Sequence, residues 1–381
     1  MRSKFSFRNV LTTGLVALIL LVPLLSAGAM PALAADGAAG AVYVTTNSPA
    51  GNAVIMFSRE ADGSLTPSGS FMTGGLGSGS ALGSQGALAL SEDGRFLFTV
   101  NAGSDQVSVF KVLPGGLSLS GTFASGGHMP VSLTSYKNML YVLNAGGSGN
   151  IAGFLVSAQG QLTPIPNSVK NLSNGGSGAA PGPAQISFTP DGSMLVVTEK
   201  GTNSIDTFIV NSDGSASGPT VNPSSGIVPY GFGFGQQNVL IVSEAFPGVP
   251  NGSAVSSYTF AGTGLDVVSA SAPTYQTAAC WVVVTGNGRF AYAANAASGS
   301  ISGYAVMPDG SLSLLNTDGR TGVLGSDATP IDMALSHNSQ YLYDLGNGTH
   351  MIYIFAINAD GSLTALGTAP IPVGTAGIVA W

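Results

Sequence analysis

From Ala41 onward the chain alternates apolar and polar residues over short runs bounded by Gly, Asp, Asn and Ser, the pattern of half-buried strands. The pattern repeats. AVYVTTN from Ala41, RFLFTVNAGSDQVSVFKV from Arg95 and MLYVLNAGGSGNIAGFLV from Met139 can be stacked on one another. Four further copies are SMLVVTEKGTNSIDTFIV from Ser193, NVLIVSEAFPGVPNGSAVSSYTF from Asn238, RFAYAANAASGSISGYAV from Arg289 and QYLYDLGNGTHMIYIFAI from Gln340. The central residues of the first strand in each copy are Tyr43, Phe98, Tyr141, Val196, Ile241, Tyr292 and Tyr343, spaced by 55, 43, 55, 45, 51 and 51 residues. Units of this length, built of short strands without helical periodicity, predict the blades of a β-propeller.

Within one unit the sequence reads as an inner strand such as ALALS from Ala87, a turn, strand RFLFTVN, a loop, strand VSVFKV, a Gly115-Gly116 turn and an outer strand LSLSGTF. The expected fold is therefore all-β: a seven-bladed β-propeller with four antiparallel strands per blade. Asp93-Gly94, Asp191-Gly192, Asn287-Gly288, Asp309-Gly310 and Asp360-Gly361 supply the positive φ that tight hairpins need. The first unit lacks an inner strand, while GTAGIVAW from Gly374 is an inner strand with no successors. The C-terminal strand is thus expected to join the first blade and close the ring, leaving only short edges. Two separate β-sandwiches would not keep one period along the chain. The Gly/Ser stretches 74–83 and 174–182 fall between blades and read as connections.

Arg2, Lys4 and Arg8, an apolar run from Leu11 to Leu25, and Ala32-Leu33-Ala34 follow the order of a secretory signal peptide. A membrane anchor is the alternative, but Pro23 and the Ser-Ala-Gly stretch leave the run near the lower limit for spanning a bilayer. Residues 1–34 are expected to be removed after Ala34 or Ala35, leaving one propeller domain over 35–381 in the periplasm or outside the cell. The leader carries 3 of the 11 basic residues and none of the 18 acids, so the mature chain has a formal charge of −10. Nucleic acid is a poor partner for such a surface. One cysteine, Cys280, permits no intrachain disulfide. His128, His337 and His350 are too scattered to suggest a metal site, and no cofactor is indicated.

In a four-stranded blade the segment leading into the inner strand and the loop between the second and third strands emerge on the same face. Side chains there converge near the central channel, whereas the Asp-Gly turns lie opposite. The loops supply Asn101, Asn144, Glu199, Lys200, Glu244, Asn295 and Asp344. The lead-in segments supply His128, Gln185, Tyr230, Cys280, Trp281 and Asp327. Glu199 and Glu244 occupy equivalent offsets in successive blades and are the expected acid/base pair, with Lys200 to polarise a carbonyl. Asn101, His128, Asn144, Gln185, Tyr230, Trp281 and Asn295 are the expected ligand-binding set. Several have a bland reading: Glu199 and Lys200 as a solvated pair, the asparagines as loop-closing residues, and Cys280-Trp281 as core. No basic neighbour for a nucleophilic Cys280 is identifiable in the sequence.

The phrases NAGSDQVSVFKV, PVSL, LYVLNAGGSGNI, FTPDGSMLVVTEKGTNSIDTF, SEAF and QTAACWVVV resemble the β-propeller lactonase family, which includes 6-phosphogluconolactonases and carboxy-muconate cycloisomerases. The likeness spans essentially the whole mature chain and looks closest to a secreted bacterial branch. It implies lactone hydrolysis by activated water, or reversible lactone closure. Where family enzymes carry histidines around a proline, this chain reads Gly182-Pro183-Ala184-Gln185, and Val228-Pro229-Tyr230-Gly231 replaces the next arginine or histidine. The Glu244 position matches a family acid.

Two functions follow. One is an extracytoplasmic hydrolase of an unphosphorylated sugar or aromatic lactone, because a phosphate wants several Arg or Lys donors. The other is a non-catalytic propeller binding a cell-surface ligand or protein, motivated by the missing His and Arg and by YVTTN from Tyr43. A quinone-dependent redox propeller lacks supporting motifs.

Overall fold

The computed structural model describes residues 39–381; the expected signal peptide lies outside them. Among the described residues seven antiparallel sheets follow one another in chain order. Each sheet has four main strands, and two add a two-residue strand, Lys170–Asn171 and Gly322–Val323. The inner strand of blade 1 is Ala376–Ala380, which pairs antiparallel with Gly40–Thr45 and closes the ring as the unfinished first repeat predicts. Arg59 reinforces this closure. Its Nε and one terminal nitrogen each donate to the Trp381 carbonyl at 3.3 Å.

Strand chemistry follows position within the blade. Second strands such as Phe96–Asn101 are buried along their whole length, because both faces of a blade pack against neighbours. Outer strands such as Leu65–Met72 are mostly exposed and polar. The core lies between blades: Tyr141 and Leu143 of blade 3 pack with Ile186 and Val197 of blade 4. Buried tyrosines pin one blade to the next. The Tyr141 hydroxyl donates to Gly214 O at 2.7 Å, Tyr292 to Gly361 O at 2.8 Å and Tyr343 to Gly63 O at 3.1 Å.

The Asp-Gly turns form as expected, with Gly94 at φ 68° and Gly192 at φ 71°. In blades 3 to 7 the inner strand opens with a bulge, at Pro130/Ser132, Pro183/Gln185, Pro229/Phe232, Ala279/Trp281 and Pro330/Met333. Proline suits the first residue of such a strand, where no ladder bond is needed. The preceding residues, Met129, Gly182, Val228, Ala278 and Thr329, all have left-handed φ between 46° and 69°. That conformation is strained for β-branched Val228 and Thr329. It is held because their carbonyls accept the N–H of Ala245 and Asn347, at 3.1 Å each.

Candidate functional site

These bulges and αL residues shape the face where lead-in segments and second-to-third-strand loops meet. The same lock places Lys200, whose N–H donates to Gly182 O at 3.0 Å. The connection from blade 1 to blade 2 does not stay between its blades. Residues 79–86 cross the mouth of the central channel as a plug. Gln85 N donates to Ala184 O of blade 4 at 3.0 Å, and Ser84 Oγ to Val131 O of blade 3 at 2.8 Å. The Gln85 amide reaches blade 6, donating to Val282 O at 2.8 Å and accepting from Val282 N at 3.0 Å. Trp281 Nε1 donates to Ser84 O at 2.9 Å, and Lys200 Nζ donates to Gly83 O. Gly77, with no room for a Cβ against the Asn47 backbone, lets the connection turn inward.

Beside the plug lies a cavity of about 290 Å³. The plug forms one wall, Tyr230, Trp281 and Ile331 another, and Asn347, His350 and the segment 373–377 the rest. The Tyr230 and Trp281 rings are 5.0 Å apart. No Arg, Lys, Asp or Glu lines this cavity. Tyr230 and Ile331 are bulge residues, which is how an inner strand turns them toward the channel. Burial raises the Tyr230 hydroxyl far above its usual value, so it stays protonated and can donate. His350 also lines the cavity, neither of its ring nitrogens has a protein partner among the described residues, and Nδ1 is shut off from solvent.

The sequence-predicted residues divide. Tyr230 and Trp281 line the cavity. Lys200 sits just behind it, its Nζ 4.6 Å from the centre of the Tyr230 ring, and burial lowers its pKa. The Lys200 charge also reaches Cys280, a basic neighbour the sequence does not reveal. Burial nonetheless wins, pushing the Cys280 thiol up to about 12. Gln185 bridges to blade 5, accepting from Phe232 N at 2.7 Å and donating to Phe232 O at 3.1 Å. His128 is exposed, its Nδ1 2.8 Å from Asp105 Oδ2.

Glu199 and Glu244 lie in separate buried clusters with no common partner. Glu199 accepts from Ser173 N at 3.0 Å, from Ser173 Oγ and from Thr202 Oγ1 at 2.6 Å. Glu244 accepts from Gly226 N at 2.8 Å, Ser256 Oγ at 2.5 Å and Ser271 Oγ at 2.6 Å. Asn101, Asn144 and Asn295 occupy the same column and are also fully buried. Asn101 Nδ2 donates to Ser108 Oγ at 2.8 Å, Asn144 Nδ2 to Asn150 Oδ1 at 2.8 Å and Asn295 Nδ2 to Ser302 Oγ at 2.9 Å. Asp344 lies inside its strand and Asp327 outside the cavity.

Three further carboxyl features were not visible from spacing. Burial and the Glu199 charge push Asp206 up to about 8. Burial alone pushes Asp332 up to about 8, and burial with the Asp332 charge raises Asp344 well above the carboxylate range. His350 is the other omission. It reads as a surface-turn residue, yet it occupies a second-to-third-strand loop, the position that should have drawn attention to it. No group of three or more His, Cys, Asp or Glu suited to a metal occurs among the described residues.

A closed ring of seven four-stranded blades with a small cavity at its loop-bearing mouth defines the class: a seven-bladed β-propeller. The family model "Lactonase, 7-bladed beta-propeller" matches residues 42–173 and 252–381, and the chain belongs to that family. No curated protein sequence matches it significantly. Among solved structures it is similar to a Bacteroides fragilis protein described as a candidate 6-phosphogluconolactonase, at 19% identity over 90% of this chain and 98% of that one, with a TM-score of 0.67. The periplasmic gluconolactonase of Pseudomonas aeruginosa is similar at 17% identity, 90% and 98% coverage and a TM-score of 0.68. A Lactobacillus plantarum protein gives 17% identity, 90% and 99% coverage and a TM-score of 0.72. At these identities the structures share the fold.

Proposed function

We propose that the chain is an exported hydrolase of an unphosphorylated lactone, with its reaction site in the cavity beside the plug. One observation carries this reading: a protonated Tyr230 hydroxyl and an unpartnered His350 imidazole line a single cavity that holds no other ionisable side chain. His350 Nε2 takes a proton from water as the water oxygen bonds to the lactone carbonyl carbon. Tyr230 donates to the carbonyl oxygen, where negative charge develops. The tetrahedral intermediate collapses by breaking the ring C–O bond, and the imidazolium protonates the departing alkoxide. The product is an open hydroxy acid.

Glu199 and Glu244 are assigned to holding loops, because the groups hydrogen-bonded to them are hydroxyl and backbone N–H donors of the fold. Lys200 anchors the plug and lends positive charge behind Tyr230. The alternative, a propeller that binds a ligand without converting it, is favoured by that same enclosure of both carboxylates.

Hydrolysis of gluconolactone and several aliphatic and aromatic lactones in a pH-stat separates the two. Acceleration over the spontaneous rate is expected, with kcat retained in a Glu199→Gln/Glu244→Gln variant that melts at lower temperature. No acceleration for any lactone would leave only the binding function.

A further inference from the structure

We infer that the cavity selects an uncharged lactone bearing an alkyl or aryl substituent over a polyhydroxylated sugar lactone, an inference that rests on the placement of the site proposed above. The polar groups of the wall are mostly spent within the protein. Ser84 Oγ donates to Val131 O, Thr375 Oγ1 to Pro372 O at 2.6 Å, and Trp281 Nε1 to Ser84 O. If Tyr230 and His350 serve the reacting ester, Asn347 and exposed Ser80 are the only lining side chains left to meet further polar groups. A sugar lactone carries several hydroxyls, each of which loses water on entering, and two side chains with scattered backbone groups match them poorly. The rest of the wall, including Leu82, Trp281, Ile331 and Val373, gives a substituent apolar contact. Val373 is 75% exposed, so a bound chain would cover apolar surface now facing water. The volume of about 290 Å³ suits a single small ring with a short tail.

The test uses a δ-lactone series of increasing alkyl length beside gluconolactone in the pH-stat, and the matching non-hydrolysable lactams by fluorescence titration. A Trp381→Phe background leaves Trp281 as the sole indole, so quenching reports the cavity. Affinity is expected to rise about fourfold per methylene until the cavity is full, with gluconolactam binding more weakly than the first alkyl members. Equal or tighter binding of gluconolactam, or affinity that ignores chain length, overturns the inference even where lactones are hydrolysed. Chain-length-dependent lactam binding without hydrolysis of any lactone upholds the inference and removes the hydrolase reading.

Discussion

At the scale of single residues, three buried carboxyls set an unusual pH response. Asp206 and Asp332 are raised to about 8 and Asp344 is raised as well, all chiefly by burial. In the unfolded chain these groups have lost their protons above about pH 4. Between there and pH 8 the folded state binds more protons, so stability is fully present at the acid end and falls as pH rises. The slope is up to about 1.4 kcal/mol per pH unit for each group. Aspartates of the exposed turns, such as Asp62 and Asp309, are held below the usual range by serine hydrogen bonds and act oppositely, but only in acid. Urea denaturation at pH 5 and pH 8 should find the protein weaker at pH 8, with Asp206→Asn reducing the difference; stability rising over that interval would refute the burial account. The acids at 199 and 244 were legible as a column. Their enclosure was not, because Ser173 reaches Glu199 from a turn and Ser271 reaches Glu244 from an outer strand.

At the scale of elements, the repeat made strands and turns legible, since one misread blade is corrected by six others. The plug escaped notice because a Gly/Ser connection has no periodicity to reveal its destination. Its anchoring is testable. Gln85→Ala leaves the Val282 N–H and C=O unpaired and should cost about 1–3 kcal/mol. An unchanged melting temperature would mean the plug is not held by this bridge. Tyr141→Phe removes the donor to Gly214 and is expected to lower stability by a similar amount through the blade 3–blade 4 seam. Deleting residues 376–381 exposes Gly40–Thr45 as an unpaired edge and should give aggregated protein by size-exclusion chromatography.

At the scale of the molecule, the ring gathers an apolar mouth on an acidic, charge-poor surface. With no Arg or Lys lining the cavity, 6-phosphogluconolactone should be hydrolysed no faster than in buffer, while uncharged lactones are accelerated. A rate preference for the phosphorylated substrate would place the site elsewhere. N-terminal sequencing of exported protein should begin at Ala35 or Asp36, as the leader predicts.

The most direct measurement is kcat for the best lactone in a His350→Asn variant, since asparagine tolerates the φ of 56° at this position but supplies no imidazole. The expected result is a fall of about 10²–10⁴-fold with an unchanged melting temperature. Wild-type kcat in this variant would contradict a reaction at the plugged mouth.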